Sequence, residues 1–271
     1  MERFGDNENL AHYKATVAEL KNVVETTAYF SDRYARAICD DGTVLGIKDS
    51  EECEIDILSQ AFAAIANLDG ERTKNALKLA FSKLYEPKTK VFRLFSPSFG
   101  NGKTKVGYIR GYVSGIRENG GQYTHGALWG ALGMLKCGLN EEALRILECA
   151  NPCARCEDKA LARIYKAEPY VISADVYSGE FSGRGGWSWY TGAAAWFYKI
   201  MLENVLGLKL GSDQTVISAK PIIPFEAEIK LGNAELRITA SNTIKKTVLD
   251  GSETVFPLKL QNGFHTLELP L

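Results

Sequence analysis

Just before an apolar helical pattern begins, the chain reads Arg117-Glu118-Asn119-Gly120-Gly121-Gln122-Tyr123-Thr124-His125, the first signature stretch. The second signature stretch, Gly183-Arg184-Gly185-Gly186-Trp187-Ser188-Trp189-Tyr190-Thr191-Gly192, also precedes such a pattern. Each combines glycines, hydrogen-bonding side chains and aromatic rings in front of a helix, where backbone N–H groups can face a sugar or an anion. The two stretches together predict a carbohydrate-binding site.

Around these stretches, apolar residues recur at helical spacing. They stand at positions 10, 13, 17, 20 and 24, at 55, 58, 62 and 65, at 77, 81 and 84, and at 128, 131, 132 and 135. Steps of three and four predict one helix for each group. Another helix is expected to start at Asn140 as its N-cap, and a last one runs from Ala193 to near Gly207. Paired helices joined by long loops follow from this pattern.

From about residue 212 the hydrophobic period changes from 3.6 to 2, the period of a half-buried strand. Apolar and charged residues alternate on both sides of Gly232-Asn233, and Asp250-Gly251 joins two further strand-like runs. Both dipeptides are typical of tight hairpin turns. We therefore expect a small antiparallel β unit at the end of the chain.

Charge and composition argue against some classes of binding partner. The 32 Lys and Arg residues balance 33 Asp and Glu residues, which leaves a net charge of −1 and gives no electrostatic case for nucleic acid or a membrane surface. No apolar run is long enough to cross a bilayer, and residues 1–6 lack the basic-then-apolar pattern of a signal peptide. These observations predict a cytoplasmic protein without nucleic-acid or membrane partners.

Six cysteines raise the question of a metal site. Cys153 and Cys156 have CxxC spacing, and Cys149 precedes them by one helical turn. Zinc takes four ligands, whereas this cluster offers three, with His12 and His125 distant in sequence. We expect reduced thiols and no bound metal.

Both signature stretches resemble glycoside hydrolase family 94, as do Tyr165-Lys166-Ala167-Glu168-Pro169-Tyr170-Val171 and Ala174-Asp175-Val176-Tyr177-Ser178. That family holds inverting cellobiose, chitobiose and oligoglucan phosphorylases and the related domain of cyclic β-1,2-glucan synthases. The resemblance covers roughly residues 1 to 225. It implies a mainly α chain, with a partial (α/α)6 barrel in residues 1–210 and a small antiparallel β-sandwich-like domain in residues 211–271.

The resemblance also implies roles for individual residues. Phosphate is already an anionic nucleophile, so phosphorolysis needs one carboxylic acid and a cradle of hydrogen-bond donors, but no general base. By their positions in the matching motifs, His125, Thr191 and the backbone of Gly192 bind phosphate, while Glu118 and Gln122 bind the sugar. Inorganic phosphate is the co-substrate, and no cofactor is implied.

Plainer interpretations stay open for the same residues. Taken alone, His125 at a helix start is a capping or buried structural residue, Thr191 is an N-cap, and Glu118 is one partner of a structural ion pair. Asp175 is most simply a structural hydrogen-bond acceptor. The aromatic candidates for stacking on a pyranose ring, of which we expect one or two at most to touch sugar, are Tyr123, Trp187, Trp189 and Tyr190.

The family's general acid is an aspartate in a Trp-Asn-Asp-Gly-Met-Asn type motif, and these 271 residues contain no such motif. We therefore expect the acid upstream of Met1. The expected protein is the C-terminal catalytic part of an inverting β-glucan or β-glucoside phosphorylase, which releases α-glucose 1-phosphate and is inactive alone. Its partners would be a β-linked glucan or disaccharide, phosphate, and an N-terminal companion polypeptide or a second copy in a homodimer.

Two alternatives remain at this point. The chain could be a non-catalytic carbohydrate-binding module, or half of a split enzyme that acts with a partner chain. An unrelated α/α-toroid hydrolase would need two opposed carboxylates for acid and base work, and no convincing pair stands out in the sequence.

Overall fold

The computed structural model describes residues 5–102, 104–189 and 191–271. The chain divides into two compact units, Met1–Ala193 and Ala194–Leu271. The boundary expected from the sequence lies later, between residues 210 and 211. Each unit is described by itself below.

The helices predicted from apolar spacing are confirmed. In the described residues the α-helices are α1 Asn7–Thr27, α2 Ile57–Ile65, α3 Gly70–Leu84, α4 Thr124–Lys136, α5 Asn140–Ala150, α6 Pro152–Glu157, α7 Lys159–Tyr165 and α8 Ala193–Ile200. Short 3₁₀ turns cover Gly107–Gly111 and Gly179–Phe181, and a π-helical turn, Met201–Val205, follows α8.

Most helix starts are explained by their capping residues. The side chains of Asp6, Asp56, Asp69, Asn151 and Asp158 each accept a hydrogen bond from a backbone N–H in the first turn of the helix that follows. The predicted N-cap at Asn140 is wrong, because α5 already includes this residue and Leu139 is the cap. A leucine side chain cannot accept the bond, so acidic residues in the first turn are left to favour this helix start.

Short strands lie between the helices of the first unit. They are β1 Tyr29–Phe30, β2 Arg33–Tyr34, β3 Ala37–Ile38, β4 Val44–Leu45, β5 Ile55–Asp56, β6 Tyr85–Glu86, β7 Val91–Phe92, β8 Phe95–Ser96, β9 Gln122–Tyr123 and β10 Asp175–Val176. They form antiparallel two-stranded pairs, β1 with β2, β3 with β4, β5 with β8, β6 with β7 and β9 with β10. The last pair joins the first signature stretch to the segment around Asp175.

Helices α2, α3, α4 and α5 form the packed centre of the first unit. Helix α2 packs against both α3 and α4, and α4 packs against α5. Glycines on α4 permit the close approach to α2: a Cβ atom at Gly130 would lie 2.7 Å from Ile57 Cγ1, and one at Gly133 would lie 3.0 Å from Ala61 Cα. Larger residues at these positions would push the two helices apart.

The expected partial (α/α)6 barrel in residues 1–210 is not what the structure shows. The chain is 39% helix and 23% strand, with several sheets, and the described residues show no clear ring of paired helices. The strand pairs occupy connections between helices, and α1 contains no buried residue. Its apolar stripe, Tyr13, Val17 and Leu20, stays 51–57% exposed. A barrel requires each helix to bury its apolar face against its neighbours.

The second unit holds two sheets. A three-stranded antiparallel sheet contains β11 Leu208–Leu210, β12 Thr215–Ala219 and β17 Leu258–Lys259. A five-stranded sheet, in the order β13-β14-β18-β15-β16, contains β13 Phe225–Leu231, β14 Ala234–Ser241, β15 Val248–Leu249, β16 Ser252–Glu253 and β18 Gly263–Pro270. Leucines and valines from both sheets share one hydrophobic core.

The expectation of a purely antiparallel β unit is wrong. Strand β18 lies between β14 and β15 and runs parallel to β14, with Ile238 beside Leu267 in the core. This parallel pairing is possible because the chain passes through β17 before it returns to the larger sheet. The two predicted hairpins are confirmed: Gly232-Asn233 joins β13 to β14, and Asp250-Gly251, both with positive φ, joins β15 to β16.

None of the helices in the described parts of the chain combines the length and the apolar character that crossing a membrane would require.

An ion pair fixes β18 beside the turn that follows β15. His265 Nδ1 lies 2.6 Å from Asp250 Oδ2, and His265 Nε2 lies 3.0 Å from the carbonyl oxygen of Gln261. Both ring nitrogens face acceptors, an arrangement that the doubly protonated imidazolium satisfies best. The hydrogen bond with Asp250 raises the pKa of His265, and the same bond lowers the pKa of the Asp250 carboxyl.

We predict that His265→Gln removes a pH-dependent part of the stability. A raised histidine pKa stabilises the fold below the unfolded value of about 6.5 and loses that contribution as the pH rises through the folded value. The stability difference between wild type and variant should therefore be largest at mildly acidic pH, up to about 1 kcal/mol, and shrink toward alkaline pH. Thermal unfolding followed by circular dichroism across about pH 5 to 8 measures it.

The matched control is His12→Gln on the exposed face of α1, which should leave the pH profile unchanged. Because the measured quantity is a difference from wild type, the contribution of His125 cancels. A difference for His265→Gln that stays constant over this pH range would contradict the prediction.

Candidate functional site

A buried carboxylate joins the two signature stretches. Asp175 Oδ2 accepts a hydrogen bond from the backbone N–H of Arg117 at 3.3 Å, and Asp175 Oδ1 accepts one from the backbone N–H of Trp187 at 3.2 Å. Burial raises the pKa of this carboxyl, while the two backbone donors favour its ionised form. Asp175 also lies opposite Tyr123 in the β9–β10 pair. Asp175 is thus a structural acceptor, as expected from the sequence, and the segments that it joins are the two signature stretches.

Gly186 permits this contact of the two signature stretches with Asp175, which we call the joint. Its N–H donates to the carbonyl oxygen of Asp175 at 2.9 Å, and a Cβ atom at position 186 would lie only 2.1 Å from Asp175 Oδ1. No side chain fits in that space without moving the backbone or the carboxylate. The glycine in the second stretch is therefore required by close approach.

The two stretches also meet through Arg117 and Trp187. The guanidinium of Arg117 lies 4.4 Å from the centre of a Trp187 ring and 5.6 Å from the centre of the Tyr112 ring, both cation–π contacts. Arg117 holds a positive φ of 49°, which is uncommon for a residue other than glycine. The next residue, Glu118, lines the same small cavity as Asp175.

Glu118 faces a small cavity with one buried oxygen. The cavity, of about 20 Å³, is lined by Arg117, Glu118, Tyr123, Ala174 and Asp175, and it has room for about one water-sized group. Within the described residues, the buried Glu118 Oε2 has no hydrogen-bond partner. A buried carboxylate oxygen without a donor costs free energy, so this position suits a hydroxyl group of a ligand.

Gln122 and Asn119 hold the first stretch in place through hydrogen bonds to the backbone of other segments. Gln122 is buried: its Oε1 accepts from the N–H of Phe92 at 2.9 Å and its Nε2 donates to the carbonyl oxygen of Cys149 at 3.1 Å. Asn119 is also buried and bonds in both directions to the backbone of Phe99. The sugar-binding role predicted for Gln122 stays a prediction, and its amide in this structure holds β9 to the core.

His125 and Gly192 come together from the two stretches. His125 lies in the first turn of α4, and a Cβ atom at Gly192 would lie 3.2 Å from His125 Cε1. The imidazole also lies 4.4 Å from the Trp129 ring. Burial lowers the pKa of His125, so the neutral imidazole is the favoured form at neutral pH. The arrangement places the imidazole ring beside Gly192, immediately before the start of α8.

Thr191 occupies the entry to α8. Its Oγ1 accepts a hydrogen bond from the N–H of Ala193 at 3.0 Å, as a capping hydroxyl does. The hydroxyl proton is not used in that bond and can be donated to a ligand. Of the aromatic candidates, Tyr190 lies outside the described residues.

Thr124 is a further polar residue of the site, which was not predicted from the sequence. It is buried at the start of α4, next to His125, and its Oγ1 has no hydrogen-bond partner among the described residues. Its place immediately before a candidate phosphate ligand at a helix start was the signal that could have identified it.

The CxxC segment contains a buried arginine. Cys153 and Cys156 lie on either side of Arg155, one of the largest fully buried side chains. Its guanidinium donates to the backbone carbonyl oxygens of Thr89, Lys90 and Cys149. In the described parts of the chain, His, Cys, Asp and Glu side chains form no group of three that could hold a metal ion.

A buried carboxylate oxygen facing a cavity, aromatic rings beside it and two helix starts nearby are features of a carbohydrate-active protein. The match to known families is specific. Residues 1–207 match the catalytic domain of the Glycosyl hydrolase 94 superfamily, and the chain belongs to this family. The predicted resemblance is thereby confirmed.

Individual relatives agree with this family. The chain is 36% identical over 247 residues to a cyclic β-(1,2)-glucan synthase of Rhizobium meliloti (strain 1021), covering 89% of this chain and 9% of that protein. It is 29% identical over 280 residues to the solabiose phosphorylase of Paenibacillus borealis, covering 93% of this chain and 34% of the other. An N,N'-diacetylchitobiose phosphorylase of Vibrio proteolyticus is 24% identical over 225 residues, covering 81% and 27%.

The chain therefore spans about a third or less of the length of these curated relatives. Within that span it is a phosphorylase-like catalytic-domain region.

We predict that Gly186→Ala destabilises the protein, because the new methyl group would collide with the Asp175 carboxylate. Overpacking of this kind costs about 1–3 kcal/mol. Urea unfolding followed by circular dichroism should show a lower midpoint for the variant.

Gly111→Ala is the matched control, since a Cβ atom there meets nothing within 4 Å. It should change stability by less than about 1 kcal/mol. Equal losses in the two variants would argue against a tight joint between Gly186 and Asp175.

Proposed function

We propose that this chain forms the phosphate-binding part of an inverting phosphorylase domain that cleaves β-linked glucans or disaccharides. The main support is the meeting of His125 with Gly192, next to Thr191 and on the same strand-to-helix segment as Glu118. In the proposed reaction a phosphate oxygen attacks the anomeric carbon, the glycosidic bond breaks, and the leaving oxygen takes a proton from a carboxylic acid. Inversion of a β-linkage gives α-glucose 1-phosphate.

Three kinds of donor would bind the phosphate. The neutral imidazole of His125 donates one ring N–H, Thr191 donates its hydroxyl proton, and the backbone N–H of Gly192 adds a third bond near the positive end of α8. Neutral His125 can donate without adding a full charge. Phosphate is the proposed co-substrate, and the proposed reaction uses no cofactor.

Glu118 would bind the sugar on the non-reducing side of the cleaved bond. Its buried Oε2 accepts a hydrogen bond from a sugar hydroxyl that enters the small cavity. This bond would relieve the cost of an oxygen without a donor, so the carboxylate selects a ligand with a hydroxyl at that position.

The general acid is proposed to lie outside these 271 residues. Both oxygens of Asp175 accept bonds from backbone N–H groups, and Glu118 is assigned to sugar binding. The Trp-Asn-Asp-Gly type motif is absent from the sequence. Since loss of a general acid typically costs about 10²- to 10⁴-fold in rate, we propose that the chain alone is inactive and works with a companion polypeptide or with further chain.

We propose a β-1,2-linked glucan as the first substrate to test. The support is the 36% identity to a cyclic β-(1,2)-glucan synthase over 89% of this chain. The alternative is a non-catalytic carbohydrate-binding module, which would use Glu118 to bind glucan and would need no acid.

The deciding experiment measures phosphate-dependent release of glucose 1-phosphate from β-glucans and β-linked disaccharides. The chain is assayed alone and after addition of a family segment that carries the Trp-Asn-Asp-Gly motif. We expect release only in the mixture and only with phosphate. Glucan binding without release in either case would favour the binding module, and absence of both release and binding would refute the proposal.

We predict that two substitutions separate the two halves of the site in the reconstituted enzyme. His125→Ala should raise the KM for phosphate about 10- to 100-fold, the size of one lost hydrogen bond to a charged group, with a much smaller change for glucan. Glu118→Gln should instead raise the KM for glucan. Initial-rate kinetics with each substrate varied in turn measures both effects.

His12→Ala and Glu180→Gln, at exposed positions, are the matched controls and should leave both constants unchanged. If His125→Ala raised both constants equally, the assignment of this histidine to phosphate would be wrong.

A further inference from the structure

Two aromatic side chains beside the candidate site are exposed. Trp189 is 70% exposed and Tyr170 is 71% exposed. Their rings lie 6.2 Å apart between centres at an angle of 68°, so Tyr170 stands edge-on to the indole. Each therefore offers a large apolar surface to solvent.

The exposed indole is nevertheless held in place. Trp189 Nε1 donates to Glu168 Oε1 at 3.1 Å, and the hydroxyl of the preceding residue, Ser188, donates to Glu168 Oε2 at 2.8 Å. One carboxylate thus binds two neighbouring side chains. The hydrogen bond from Ser188 lowers the pKa of Glu168, which keeps it ionised at neutral pH.

The backbone conformation of Trp189 also indicates that this residue is held in place. Its φ is 69°, in the left-handed region that bulky residues rarely adopt. Keeping a tryptophan in this conformation costs free energy, and so does leaving its ring in water. Binding of a flat apolar surface over the ring would recover the second cost.

The position of Trp189 relates it to the proposed sugar site. It follows Trp187 by two residues, and Trp187 covers Arg117 at the edge of the Glu118 cavity. Two residues of chain span at most about 7 Å. It precedes Thr191 by two residues. The indole therefore lies on the segment that runs from the sugar side of the site to the phosphate side.

We propose that Trp189, Tyr170 and Glu168 form a second sugar subsite, which binds a glucosyl unit of a longer glucan beyond the unit at Glu118. The C–H face of the pyranose ring stacks on the indole, and its hydroxyls donate to the remaining lone pairs of the Glu168 carboxylate. This inference rests on the proposed function, and it adds a preference for oligosaccharides over disaccharides. A ring held in advance loses little conformational freedom when the sugar binds.

The test compares the binding of two probes, the β-1,2-linked disaccharide of glucose and the corresponding pentasaccharide, by isothermal titration calorimetry. Wild type should bind the longer probe about tenfold more tightly, the size expected for one stacked ring. Trp189→Ala should remove most of this advantage and leave the affinity for the disaccharide unchanged. Trp189→Phe keeps an aromatic face and should retain part of it.

Two further variants test the arrangement of the subsite. Glu168→Ala releases the indole and removes the acceptor, so it should also reduce the preference for the longer probe. Phe264→Ala, at an exposed aromatic residue of the second unit that contacts Arg237, should have no effect. Circular dichroism verifies that each variant is folded. If Trp189→Ala does not fold, Trp189→Phe still tests the subsite.

The outcomes distinguish the two proposals. If wild type binds both probes and the preference for the longer probe is unchanged in Trp189→Ala and Trp189→Phe, the second subsite is overturned. The proposed function is then left intact. Wild type that binds neither probe refutes β-1,2-glucan binding and the subsite with it. If Trp189→Ala lost affinity for both probes equally, the indole would belong to the Glu118 site instead.

Discussion

Two backbone N–H groups that lie 70 residues apart in sequence, those of Arg117 and Trp187, donate to the same carboxylate, that of Asp175. This shared acceptor brings the two signature stretches together, and the positions of Glu118 and the exposed tryptophans depend on it. The joint tolerates no side chain at Gly186. A buried acceptor with two backbone donors is directional as well as strong, so it fixes the orientation of both loops.

The two halves of the candidate site are built differently. The strand that precedes His125 is held to the core through the amide of Gln122, which reaches the backbone of Phe92 and Cys149. The aromatic half consists of exposed rings that are held by cation–π contacts and by the carboxylate of Glu168. His125 thus follows a segment that is held to the core, whereas the exposed aromatic rings are held by contacts within the loops.

The sequence was sufficient for features that depend on local spacing. Apolar periodicity and capping residues located α1 to α5 and α8, and the dipeptides Gly232-Asn233 and Asp250-Gly251 located both hairpins. The short helices α6 and α7 lie in residues 151–186, which the sequence pattern had indicated as a loop. Features that depend on contacts between residues distant in sequence could not be predicted from the sequence. The parallel pairing of β14 with β18 is decided by where the chain returns. Likewise a buried glutamine, Gln122, has the same polar groups whether they bind backbone or sugar, so residue type alone could not reveal its contacts.

The histidines have a consequence for the solubility of the protein. His125 is favoured in its neutral form by burial, and His265 is favoured in its charged form by Asp250, so slightly acidic to neutral pH suits both. The formal net charge is −1 with all histidines neutral, and protonation of one histidine cancels it. Near zero net charge, molecules repel one another least. The conditions that satisfy both histidines therefore also favour self-association, and concentrated samples should be kept soluble by moving away from them.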